Sequence, residues 1–152
     1  MLTSEQRQEY ENRYPNLVKI AEVIEAELRR IVKPLEHIDT ISVRVKSIPK
    51  FVEKANPKAY SNPLRDIQDQ IGARIVVIFL DDIEIVKNEV VKEFHPAENG
   101  IREPDKPNQF DYEAHHVLCV IPLDIRAKYN SPIEVFELQI ATLFQHAWAE
   151  AN

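Results

Sequence analysis

Asp69-Gln-Ile-Gly72-Ala-Arg74-Ile-Val-Val-Ile-Phe-Leu80, closed by Asp81-Asp82, is the stretch that decides how the chain is read. From Ile71 to Leu80 it is the longest apolar run in the sequence, and it is rich in β-branched residues. A continuous run of this kind ending in turn-forming aspartates predicts a strand covered on both faces, at the centre of a sheet. Two residues do not belong to plain core. Arg74 sits inside the run and Asp69 stands just before it. An arginine taken out of water needs an anionic partner, so the entrance of this strand is expected to carry chemistry.

The 152 residues suffice for one domain with a real core. Hydrophobic residues make up 44% and charged residues 29%, the balance of an ordinary globular domain. No apolar stretch approaches the roughly 20 residues of a spanning helix, and Met1 to Arg7 contains no signal-peptide core. The single cysteine, Cys119, excludes an internal disulfide framework and agrees with a cytoplasmic location. It lies in a strand-like apolar run and reads as a small core residue. A net charge of −6 argues against a surface built to coat nucleic acid. The only glycines are Gly72 and Gly100, so there is no glycine-rich phosphate loop, and phosphates would have to be held by side chains.

Outward from the central run, the chain reads as alternating elements. Thr3-Ser-Glu-Gln6 is a capping-box pattern that opens a short polar helix, which Pro15 is expected to interrupt. Leu17, Ile20, Ile24, Leu28 and Ile31 then fall at helical spacing, ending before Pro34. Ile41 to Ser47 alternates with period two, placing Ser42, Arg44 and Lys46 on one face. Two cations on that face lie roughly 7 Å apart at about 3.3 Å of rise per residue, a spacing that can straddle a polyphosphate. Lys50 and Lys54 extend the positive patch on a short helix, and Asn62-Pro63 opens another that is expected to run from Leu64 to Gln70.

Asp81-Asp82 are expected to cap a helix with Ile83, Val86, Val90 and Phe94 on its apolar face, a strand–helix connection found in α/β and α+β domains. Residues 95–111 read as the loosest part of the chain. Val117 to Ile121 reads as a strand preceded by Tyr112, His115 and His116. In Ile133 to Ala141 one face carries Ile133, Val135, Glu137, Gln139 and Ala141, turning from apolar to polar as a sheet does on entering a cleft. Thr142 to Gln145 is a second capping box, opening a helix in which Trp148 is expected to pack into the core. That helix meets no stop signal before Asn152, so the chain is expected to be a domain or to continue further.

The polar residues on these strands form two groups. Arg44, Lys46, Lys54 and Arg74 could neutralise phosphates, while Asp69 and Glu137 could hold Mg2+, which takes one or two carboxylates together with substrate phosphates. Cations, a metal and a group orienting the attacking hydroxyl are the parts that phosphoryl transfer needs.

Five motifs in order resemble the RelA/SpoT-type (p)ppGpp synthetase domain from about residue 40 onward: Arg44-Val-Lys46-Ser47, Asp69-x-x-Gly72-x-Arg74, Tyr112-x-x-x-His116, Glu137-x-Gln139-x-x-Thr142 and His146-Ala-Trp148-Ala-Glu150. The resemblance implies an α+β fold, a nucleotidyltransferase-like mixed sheet of about five strands flanked by helices. Residues 1–36 would form a helical segment packed on a synthetase domain of residues 37–152. It further implies transfer of pyrophosphate from ATP to the ribose 3′-hydroxyl of GDP or GTP with Mg2+. By position, Arg44 and Arg74 would contact ATP and Lys46 and Lys54 its phosphates. Asp69 would bind Mg2+, and Glu137 would assist the metal or activate the acceptor hydroxyl. Tyr112 would stack on guanine, His116 would lie near the acceptor phosphates, and Gln139 would orient a ligand or Glu137.

The chain departs from the family pattern at Lys50, Asp111, Ala114 and Ala141, where serine, glycine, serine and arginine are usual. These changes fall mostly on the acceptor side. They leave open an adenosine nucleotide or a tRNA 3′ end as acceptor, or a nucleotide-binding module without turnover. No membrane partner is expected, and a homo-oligomer is left open. No His-Asp dyad occurs in the sequence, so the hydrolase half of the long bifunctional members is not expected within it.

Overall fold

A computed structural model describes residues 2–56, 60–102 and 114–151. Helix α1 (Ser4–Val32) opens on the expected box: the Thr3 hydroxyl accepts from the Gln6 backbone N–H at 3.1 Å, and the Gln6 side chain accepts from Thr3 N–H at 3.0 Å. Contrary to expectation, α1 is continuous through Pro15. The ring removes one helical hydrogen bond, a cost of about 3 kcal/mol. Pro15 lies on the exposed side, while Tyr10, Leu17, Ile20, Ile24 and Leu28 bury the opposite stripe at roughly 1.5–3 kcal/mol per large apolar side chain. Anchoring on both sides of the proline outweighs the break. Tyr10 stacks on Phe51 with ring centroids 3.8 Å apart and donates its hydroxyl to the Lys46 carbonyl.

The remaining elements follow as β1 (Ile38–Val45), α2 (Ile48–Ala55), α3 (Pro63–Asp66), β2 (Ile71–Val77), α4 (Leu80–Glu93), β3 (Pro96–Arg102), β4 (His115–Val120), α5 (Leu123–Lys128), β5 (Val135–Thr142) and α6 (Leu143–Ala151). The five strands form one sheet in the order β1-β2-β5-β4-β3. Only β2 and β5 run parallel, so the sheet is mixed and the fold α+β, as expected. One face, with Ile71, Ala73, Ile75 and Val77 of β2 and Phe136, Leu138 and Ile140 of β5, is fully buried in the core shared with α1 and α4.

Several expectations need correction. The opening run supplies β2, an interior strand, but β5 occupies the centre of the sheet. It is fully covered on one face only, because Gly72 and Arg74 leave the other open. The strand also stops at Val77, and the exposed Ile78 and Phe79 lead into α4. Asp81 and Asp82 are therefore in the first turn rather than at the cap, where the helix dipole favours acids and the Asp82 carboxylate accepts the Phe79 N–H at 3.1 Å.

The helix expected over Leu64–Gln70 is the single turn α3, because Gln70 is drawn inward instead. Its amide donates to the carbonyls of Leu64 and Ile67 at 2.8 and 2.9 Å. Within the expected loop 95–111, residues 96–102 form the edge strand β3, bulged between Pro96 and Ile101 so that no clean alternation marks it. Trp148 is 43% exposed and does not pack into the core as expected; the only buried side chain of α6 is Gln145.

Candidate active site

Strand register builds the open face. Ser42 of β1, Arg74 of β2, Gln139 of β5, His116 of β4 and Arg102 of β3 are successive partners in one row across the sheet. Arg44, Gly72, Glu137 and Leu118 form the next. Partners share a face, so the alternation read in β1 and in β5 delivers its polar residues to a single surface. A Cβ on Gly72 would meet nothing within 4 Å, so the glycine leaves the floor between Arg44 and Glu137 open.

Asp69 enters from the turn before β2. Gln70 pins that turn: its side chain accepts from Arg13 at 3.2 Å, and its carbonyl accepts the Lys46 N–H at 2.8 Å. Lys46 then reaches Asp69 Oδ2 at 2.9 Å and Lys54 reaches Oδ1 at 2.8 Å. Burial by itself would raise the Asp69 carboxyl, but the hydrogen bonds from Lys54 and Lys46, with their charges, hold it below the usual aspartate range.

Glu137 takes His116 Nδ1 on Oε1 at 2.8 Å and Gln139 Nε2 on the same oxygen at 3.4 Å. The hydrogen bond from His116 holds Glu137 below its ordinary value against burial and against the charge of Asp69. Gln139 in turn accepts from Arg74 at 3.2 Å, and the Arg74 guanidinium lies 4.0 Å from Glu150 of α6.

Two cavities meet at Arg74 and Gln139. The first, of about 290 Å³, is lined by Arg44, Lys46, Lys50, Asp69, Glu137 and their neighbours. The second, of about 280 Å³, lies against α6 and is lined by Ala114, Ala141, Gln145, His146, Ala149 and Glu150. The structure thus brings together Arg44, Lys46, Asp69, Arg74, Glu137 and Gln139 in one cavity, with Lys54 attached through Asp69. His116 is on Glu137, and Tyr112 and Asp111 lie outside the described residues.

Sequence reasoning passed over Arg13 and Arg102. The first is placed by its bond to Gln70 and the second by a strand that no alternation announced. Among the described residues no group of three or more His, Cys, Asp and Glu side chains could hold a metal ion alone. The two carboxylates are nonetheless hard oxygen donors in one cavity, the set that suits Mg2+ when ligand phosphates and waters complete its shell.

The family described as "Region found in RelA / SpoT proteins" matches residues 43–152. The GTP pyrophosphokinase YjbM of Bacillus subtilis (strain 168) is 32% identical over 117 residues, 74% of this chain. The matched stretch is 53% of that relative, so the chain spans about half the length of the curated protein it matches. The crystal structure of small alarmone synthetase 1 from Bacillus subtilis superposes with a TM-score of 0.75 at 26% identity, covering 94% of this chain and 76% of that one. The same synthetase bound to its product pppGpp gives a TM-score of 0.74 at 25% identity, covering 95% and 79%.

Proposed function

The chain belongs to the family of the region found in RelA/SpoT proteins, and from that premise we propose that it is a pyrophosphokinase moving the β,γ-pyrophosphate of ATP to the ribose 3′-hydroxyl of GDP or GTP. The observation that carries this reading is the arrangement of Asp69. A carboxylate clamped by Lys46 and Lys54 shares one cavity with Arg44, Arg74 and Glu137.

In the proposed reaction the 3′-oxygen attacks the β-phosphorus, the bond from that phosphorus to the α–β bridging oxygen breaks, and AMP leaves. Lys46 and Lys54 exchange Asp69 for the phosphates, and Arg44 and Arg74 hold the donor nucleotide by charge and planar stacking. Glu137 takes the hydroxyl proton or helps hold the metal, while Gln139 keeps its carboxylate in place. Tyr112 stacks on the acceptor base. Asp69 and Glu137 are the residues that would hold Mg2+, which supplies charge neutralisation on the transferring phosphates. No step requires a covalent intermediate on the protein; positioning and charge suffice.

The test is a Mg2+-dependent assay with ATP and either GDP or GTP, read for tetra- and pentaphosphate product. Product from the wild type and none from Asp69→Ala is expected; no product from the wild type overturns the reading. Ala114 and Ala141 both line the second cavity, and this favours a second reading in which the acceptor is an adenosine nucleotide or a tRNA 3′ end. Labelled ATP offered with each acceptor separates the two. A net charge of −6 weighs against tRNA.

A further inference from the structure

We propose that Arg13 of α1 is a positioning residue for Asp69, acting through Gln70, a role that rests on the pyrophosphokinase reading above. A helix outside the family-matched residues 43–152 then sets the geometry of the first cavity. Arg13 is absent from the described walls of both cavities, and its side chain is 11% exposed. Its guanidinium reaches instead the turn that carries Asp69. Nη1 donates to Gln70 Oε1 at 3.2 Å and to the Leu64 carbonyl at 3.3 Å, while Nη2 is steadied by Glu9 at 3.2 Å.

Gln70 is 1% exposed, so its side-chain amide must find partners inside the protein. Carbonyls only accept hydrogen bonds and a guanidinium only donates them. The Leu64 and Ile67 carbonyls therefore take Nε2, and Oε1 is left for Arg13. Without the arginine, a buried acceptor loses its donor, which favours opening the turn to water. Asp69 is the next residue in the chain, so that movement carries its carboxylate out of the Lys46–Lys54 clamp. Lys46 has an anchor of its own, because Tyr10, one turn before Arg13 on α1, donates to the Lys46 carbonyl. Helix α1 thus holds cation and carboxylate with two different side chains, and Arg13 governs the carboxylate.

The Lys46 N–H, which donates to the Gln70 carbonyl at 2.8 Å, reports on the turn without turnover. In Arg13→Met, which keeps an unbranched stem and removes the donors, this amide is expected to exchange at least about tenfold faster, with β5 amides at wild-type rates. Per folded molecule, well below the melting temperature, kcat is expected to fall about ten- to hundredfold, as when a reacting group is displaced by about 1 Å. KM for ATP and for the acceptor should stay within about threefold of wild type, because Arg13 lies outside the cavity walls. Gln70→Met should lose at least as much, and adding Arg13→Met to it should lose no more, since the two side chains act as one unit.

Wild-type exchange of the Lys46 amide in Arg13→Met overturns the grip on the turn. Faster exchange with unchanged kcat overturns its role in the reaction, as does a raised KM with kcat intact. If Arg13→Met does not fold, Arg13→Lys takes its place: lysine keeps the charge but ends one bond short of Nη1, and the same outcomes decide. Absence of any product from the wild type would instead overturn the pyrophosphokinase reading, and the Lys46 exchange rate then judges the grip alone.

Discussion

Lys46 and Asp69 are paired at 2.9 Å at the wall of the first cavity, and Lys54 completes the pair from the other side at 2.8 Å. The cations suited to phosphates are thus already satisfied by the carboxylate suited to a metal. Any polyphosphate entering this cavity competes with Asp69 for both ammonium groups.

That competition gives opposite signs to two measurements on one variant. Asp69→Asn removes the competitor, so metal-free inorganic triphosphate should bind more tightly than to wild type in calorimetry with chelator present. The same change removes a carboxylate proposed to hold Mg2+, so turnover with Mg2+ should fall at least about a hundredfold. Weaker binding of metal-free triphosphate would show that the ion pairs do not oppose the ligand.

Stability should respond to acid through the same carboxylates. Asp69 and Glu137 are both held below their ordinary values in the folded protein. Between those lowered values and the ordinary range near pH 4 (about 3.9 for Asp and 4.3 for Glu), the unfolded chain binds more protons than the folded one. Their contribution is therefore fully present above that range and is lost as pH falls through the lowered values. Denaturant melts of wild type and Glu137→Gln from pH 7 to pH 3 check this: the variant should lose less stability over the interval.

Gly72 tests the floor of the cavity without disturbing the core. Its Cβ would enter open space, and a strand glycine costs roughly 0.5–1 kcal/mol relative to alanine. Gly72→Ala should melt at or slightly above the wild-type temperature. Gly72→Leu should fold as well, yet its side chain projects between Arg44 and Glu137 and should weaken ATP binding by at least about tenfold, near 1.4 kcal/mol.

Gly100 predicts the reverse. A Cβ there would stand 2.7 Å from the Ala97 carbonyl and 2.9 Å from that of Leu118, both backbone atoms. Asn99 before it has a φ of 54°, as the bulge requires. Gly100→Ala should cost about 1–3 kcal/mol, the range for steric overpacking. Hydrogen exchange should show the loss concentrated on β3, leaving β2 and β5 protected.

What could be read in advance depended on how locally each feature is encoded. Arg44, Glu137 and Gln139 were legible because period-two alternation fixes a face within a few residues, and the capping boxes at Thr3 and Thr142 because they close within one turn. Pro15 misled because helix propensity is local while the burial that overrides it, of Tyr10 and Leu17, is tertiary. Strand β3 was missed because an edge strand with a bulge pairs through its backbone and imposes little on its side chains. The pairing of His116 with Glu137 depends on the register of strands 21 residues apart, which no spacing announces.

The exposed flank of α6 also has a practical use. Trp148 is the only tryptophan in the chain, and it lies on the same helix as His146, Ala149 and Glu150, which wall the second cavity. Its indole is therefore a built-in optical reporter with no other indole to obscure it. Whether filling of that cavity reaches α6 can therefore be tested by the emission of the unlabelled protein.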